Sequence, residues 1–294
     1  MTPNLSAFAN LSTALRMLRG LGFVIHPFPA LMNALAGTLF YLIAADVTQG
    51  VQVASIFLSI LLIHASIGSM NDFCDIDLDA KTKPRKPIVR GDIGPRAALV
   101  VSCVAAVAGA LLSLSFSWST LVVALAVLTS GMAYNFWAKG TVYSWVPYSV
   151  FIPALPVWAF VAADKFTPVV LFSFPLGALM SLALNVANTI PDLQGDTQYG
   201  LQGLAHRLEL EHSLLVLWSS FAGTIILLAL TPDILGNNAA YLLPGIVLGG
   251  MLLVVMILDR LLNRSDASLR RGWYLSAVIA AILGVAWVAS LLTG

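Results

Sequence analysis

Long apolar runs alternate with polar connections along the whole chain, and nine of the runs reach the ~20 residues needed to cross a bilayer as a helix. They lie at 21–45, 50–70, 97–116, 118–136, 144–163, 167–190, 213–232, 239–258 and 272–292. The connections after spans one, three, five and seven are short, and their only charges are Asp46, Asp164, Lys165 and Asp233. Those after spans two, four, six and eight are longer and hold nearly every other charge. The pattern predicts an all-α, polytopic membrane protein with nine transmembrane helices. No low-complexity segment or linker divides it, so residues 1–294 read as a single domain.

Composition agrees with this pattern. The chain is 59% hydrophobic and 10% charged, with a mean hydropathy of +0.90. These values exclude a soluble enzyme, a disordered chain and a disulfide-stapled module. A net charge of +1 gives no basic surplus for nucleic acid. Cys74 and Cys103 are too few for a disulfide framework and wrongly spaced for zinc.

Of the 15 Lys and Arg, all but Lys165 lie on the side of the N-terminus and the even-numbered loops. The positive-inside rule predicts a cytoplasmic N-terminus and an external C-terminus in the cell membrane. Residues 1–20 have no small-residue cleavage site after a short apolar core, so they are not read as a cleavable signal. Phe8, Leu11, Leu15 and Leu18 recur there at helical spacing beside Arg16 and Arg19, which predicts a short interfacial helix.

Two acidic motifs stand out on the cation-rich side. The first runs Asn71-Asp72-Phe73-Cys74-Asp75-Ile76-Asp77-Leu78-Asp79. Asn71, Asp75 and Asp79 stand at i, i+4 and i+8 and so share one helix face. Carboxylates crowded at a membrane boundary repel one another, and a divalent cation relieves them. An all-oxygen donor set suits Mg²⁺, which takes one or two carboxylates and completes its shell with substrate phosphates.

The second motif closes span six with Asn185, Asn188, Asp192 and Asp196, again on one face. Pro191 is expected to kink or end that helix. Lys81, Lys83, Arg85, Lys86 and Arg90 follow the first motif, while Tyr134 and Lys139 close span four. Lys83, Lys86 and Lys139 are candidate clamps for phosphate oxygens. Three segments are candidate active-site loops on the cytoplasmic side: 71–96, 134–143 and 191–212. His64 lies seven residues before Asn71 and faces the same way. His26 and Asn33, seven apart at the start of span one, are candidates for the acceptor pocket.

Two carboxylate sets with Mg²⁺ and cations fit a ligand bearing a diphosphate. Its tail would lie in an apolar cavity among the helices. With an allylic diphosphate, the metal would stabilise departing pyrophosphate, and the membrane would shield the carbocation from water.

Asn71-Asp72-x-x-Asp75-x-x-x-Asp79 resembles the NDxxDxxxD signature of the UbiA-type intramembrane prenyltransferases, and Asp192-Leu193-Gln194-Gly195-Asp196 their DxxxD motif. Lys83-Pro84, Lys86-Pro87 and the segment from Tyr134 through Tyr148 are similar to further family features, so the resemblance covers nearly the whole chain. It implies nine helices around a central cavity that opens sideways to lipid. It also implies Mg²⁺ held by Asn71, Asp75, Asp192 and Asp196, with Asp72 and Asp79 completing the motif and Lys139 gripping phosphate. Tyr134 belongs to the same implied site. Where relatives often carry Arg-Pro, this chain has His26-Pro27.

The leading expectation is transfer of a polyprenyl group from its diphosphate to an aromatic or hydroxyl-bearing acceptor. One alternative is an intramembrane terpene cyclase built on the same site. A cation-coupled transporter is disfavoured because the acids gather at one membrane face, whereas transporters bind at the midplane.

Overall fold

This computed structural model describes residues 5–46, 49–193 and 203–291, and their side chains except those of residues 5–13 and 192. The described residues form eleven α-helices and no strand. Nine helical segments among them are long and apolar enough to cross a membrane. The helices pack as two compact units, one of residues 1–35 and 50–128, the other of residues 36–49 and 129–294.

The first unit begins with α1 (Leu5–Val24). Leu15 and Leu18 on this helix are exposed, while Gly20 lies so close to Ile93 that a Cβ would meet its side chain at 2.7 Å. Val24 packs with Ile88, Ile93 and Ala98, anchoring α1 to the segment after the first acidic motif. The helix does not run on into the first span, as a span starting at residue 21 would require. Pro27 bars the residue before it from the α region, and His26 takes a left-handed φ of 51°. The span is therefore α2 (Pro27–Ala44).

Within this unit α3 (Gly50–Cys74) and α5 (Pro95–Leu114) pack through small polar residues. Ser59 donates to the Gly109 carbonyl at 2.9 Å and lies 2.6 Å from the Ser113 hydroxyl. Ser102 donates to the Ser66 carbonyl at 2.9 Å. Small side chains let backbones approach, and hydroxyls bridge them where lipid provides no driving force. A short helix, α4 (Ile76–Thr82), continues from α3 into what the sequence suggests is a loop. Next comes α6 (Trp118–Ala133).

The second unit contains α7 (Trp145–Ala162), α8 (Ser173–Thr189), α9 (Leu204–Leu235), α10 (Ala239–Asn263) and α11 (Asp266–Ser290). At 32 residues α9 is much longer than the expected 213–232 span, and Glu209 breaks its first turns with φ 59° and ψ 175°. Lys165, the one cation outside the basic side, pairs with Asp46.

Between α7 and α8, Ser173 and Ser181 donate to the carbonyls of Pro153 and Tyr148, each at 2.9 Å. A Cβ on Gly177 would lie 2.5 Å from that of Pro153. Gly177→Ala is therefore expected to destabilise the protein by about 1–3 kcal/mol through overpacking, measured as a lower unfolding midpoint in detergent. An unchanged midpoint would show that α7 and α8 can separate freely.

Candidate active site

The first motif straddles the end of α3. The Asp75 amide donates to the Asn71 carbonyl at 3.0 Å, and the Asp79 amide donates to the Asp75 carbonyl at 2.7 Å. The i→i+4 ladder thus carries Asn71, Asp75 and Asp79 one turn apart on one line, across the break between α3 and α4. Asp75 and Asp79 are buried, whereas Asp77 faces outward. Asp75 caps α4 in position only, because its side chain makes no capping hydrogen bond.

Asp72 points elsewhere. It is 2% exposed, and its Oδ1 receives both His26 Nε2 at 2.6 Å and Lys86 Nζ at 2.5 Å. The Lys86 ammonium also reaches Asp79 Oδ2 at 2.9 Å. Burial alone would lower the Lys86 pKa, but hydrogen bonds and charge from Asp72 and then Asp79 outweigh it and hold it above the ordinary lysine value. The stabilisation from that shift is complete below the unfolded lysine pKa and is lost only as pH rises through the raised value. Lys86, a candidate phosphate clamp, thus has its charge shared between two acids of the motif. Lys83, at the end of α4, is exposed and pairs with no described acid.

His26 stands in the link between α1 and α2, and so does not share a helix face with the half-buried Asn33. Its partnership with Asp72 was missed by a reading that grouped it with its span. The available signal was its place in a His-Pro pair, where the family often carries a cation. His64 is buried, and its Nδ1–H donates to the Ile60 carbonyl at 2.9 Å within its own helix.

In the second unit, α6 passes into a π-helical turn over Tyr134–Ala138, closed by the Lys139 amide donating to the Tyr134 carbonyl at 2.9 Å. Such turns are rare and concentrate at functional sites. The turn sets Tyr134 edge-on against Tyr148, with ring centroids 5.2 Å apart, and leaves Lys139 half-buried.

The second motif opens at Asn185, which is buried and accepts a 3.1 Å hydrogen bond from Ser144. Asn188 is exposed. At Pro191 the α-helix ends, and Ile190–Asp192 form a 3-10 turn. The Asp192 side chain and the whole of Asp196 lie outside the described residues.

The donor chemistry of the first motif fits Mg²⁺. Asn71 and Asp75 present oxygen donors on successive turns. The second oxygen of Asp72 is buried without a hydrogen-bond partner, so this end of α3 has room for further positive charge. Among the described residues no three His, Cys, Asp or Glu side chains are already gathered as a metal cage. A cation that relies on substrate oxygens needs no such cage.

The profile of the UbiA prenyltransferase family matches residues 30–278, across both units. The chain belongs to the UbiA prenyltransferase family. It is accordingly a prenyltransferase and an integral, multi-pass membrane protein. This family member is 28% identical over 228 residues to a digeranylgeranylglyceryl phosphate synthase of Natronomonas pharaonis, covering 74% of this chain and 79% of that one.

Its fold is similar to a structure described as digeranylgeranylglyceryl phosphate synthase in membranes. The TM-score is 0.74 at 18% identity, over 95% of this chain and 99% of the other. It is also similar to a UbiA homologue of Archaeoglobus fulgidus bound to GPP and Mg²⁺, with TM-score 0.72, 17% identity, and coverage of 92% and 99%.

Proposed function

We propose that this chain transfers a polyprenyl group from an allylic diphosphate to a hydroxyl-bearing acceptor, through ionisation to a carbocation inside the membrane. The observation that carries the reading is the line of Asn71, Asp75 and Asp79 at the end of α3, stepping turn by turn at a membrane boundary. Such a line is costly unless a cation and a polyanion complete it.

In this reading Asn71 and Asp75, with Asp192 and Asp196 of the second motif, would hold Mg²⁺. Bound there, the metal would neutralise charge developing on the departing pyrophosphate. Lys83 and Lys139 hold diphosphate oxygens by charge-assisted hydrogen bonds, and Tyr134 orients Lys139's turn. Lys86 acts through Asp72 and Asp79, whose charges it balances. Asn33, His64 and Asn188 are assigned to substrate contact. The apolar spans keep water from the cation until the acceptor captures it.

A hydroxyl acceptor is favoured by the named product of the Natronomonas relative, a digeranylgeranylglyceryl phosphate. We further read residues 1–294 as one catalytic domain in the cell membrane, with the N-terminus cytoplasmic, on the charge asymmetry of its loops.

The test uses the purified chain in detergent with geranylgeranyl diphosphate and Mg²⁺. It is offered either a glyceryl phosphate lipid with a free hydroxyl or an aromatic acid. The expected result is a prenyl ether on the hydroxyl, with pyrophosphate released. Product on the aromatic acid alone would overturn the acceptor, and cyclic hydrocarbon formed without any acceptor would overturn transfer itself. Chelation with EDTA is expected to abolish pyrophosphate release and added Mg²⁺ to restore it. Turnover that persists in EDTA would remove the metal from the reading.

A further inference from the structure

The reverse side of α8 carries a feature that the transfer reaction does not use. At 3.6 residues per turn, Ala187 and Ile190 lie on the face opposite Asn185 and Asn188. There they line a cleft with Trp218 of α9, Met256 and Arg260 of α10, and Trp273 of α11, all within the second unit. Ile190 and Met256 form apolar walls.

Arg260 is half-buried in the last turn of α10, and no described carboxylate lies within ion-pair distance of it. Its neighbour Asp259 is engaged by Arg271 through two hydrogen bonds of 2.9 and 2.7 Å. The indole N–H of Trp218 is shielded from solvent and has no acceptor. Arg260 and Trp273 both sit at the ends of their spans on the side where 14 of the 15 Lys and Arg gather. Tryptophan prefers this headgroup level, and basic pockets between spans recognise anionic headgroups there.

We propose that this cleft binds one anionic membrane phospholipid. Its phosphate meets Arg260 and the Trp218 N–H, and an alkyl chain runs along Ile190 and Met256. Charge complementarity selects the occupant: a zwitterionic headgroup would bring a second cation beside Arg260.

Native mass spectrometry tests the site on the purified full chain, released from micelles holding equal amounts of phosphatidylglycerol and phosphatidylcholine. The wild type is expected to retain phosphatidylglycerol preferentially. Arg260→Gln is expected to lower the retained fraction about fivefold, the weight of one interfacial cation. Arg96→Gln removes the same charge at an exposed position on α5 and is expected to change nothing. Arg260→Lys keeps the charge and is expected to keep the preference.

Equal retention of the two lipids would overturn the proposal, as would equal losses in Arg260→Gln and Arg96→Gln. Loss in Arg260→Lys as deep as in Arg260→Gln would assign the effect to packing and overturn it too. Displacement by inorganic phosphate at the lipid's own concentration would replace the lipid with a bare anion.

Discussion

Asp75→Ala is expected to slow pyrophosphate release about a thousandfold while leaving the unfolding midpoint within about 1 kcal/mol of wild type. The asymmetry follows from how Asp75 is held. Its backbone is fixed by the bond from its own amide to Asn71 and the bond that its carbonyl accepts from Asp79. Its side chain contributes no cap to α4. Deleting the carboxylate therefore spares the helix ladder and removes a charge placed for a cation. Loss of one preorganised electrostatic group commonly costs 10²–10³ in rate, and the loss is larger where that group also holds the metal. Asp192→Ala is expected to behave alike. The check is kcat/KM for pyrophosphate release beside a thermal melt of the same preparation. Wild-type kcat/KM in Asp75→Ala would show that the metal sits elsewhere.

Lys86→Met is expected to do the reverse and act first on stability, with a loss of about 3–5 kcal/mol. Lys86 is the shared cation of Asp72 and Asp79, which are 2% and 3% exposed. Removing it strands two buried carboxylates within one turn and a half of helix, and His26 alone remains to face Asp72. Adding Asp72→Asn and Asp79→Asn to the same chain removes the stranded charge and is expected to recover most of the loss. Denaturant unfolding of the single and triple variants measures both steps. A Lys86→Met protein as stable as wild type would show that the three-way pairing contributes nothing to folding. Its role would then revert to gripping phosphate.

These two outcomes separate residues that the motif alone treats alike. Asn71, Asp75 and Asp79 are spaced at four residues, and a helical period is enough to put them on one line. Asp72 falls between them in sequence and was grouped with the metal ligands on that ground. In the fold it turns to His26 and Lys86, which are 46 and 14 residues away. Neither partner is marked by local periodicity, because His26 reaches Asp72 only after the chain bends at Pro27. The π-helical turn at Tyr134–Ala138 was equally hidden, since one extra residue in a helical turn leaves the apolar pattern intact. The break at Glu209 escaped for a similar reason.

Hydropathy, charge asymmetry and helical period act within a few turns of chain. From sequence alone they settle that this protein is all-helical, spans a membrane about nine times and carries its acids and cations on one side. Membership of the UbiA prenyltransferase family follows from motifs of the same local kind. Which acid faces a metal and which neutralises a lysine depends on where helices end and which segments meet afterwards. Those meetings are set by small-residue packing such as Ser59 on Gly109 and by the bend at His26. Only the tertiary structure decides them, because the energy of a buried ion pair depends on the distance between its groups in space, and separation along the chain does not give that distance.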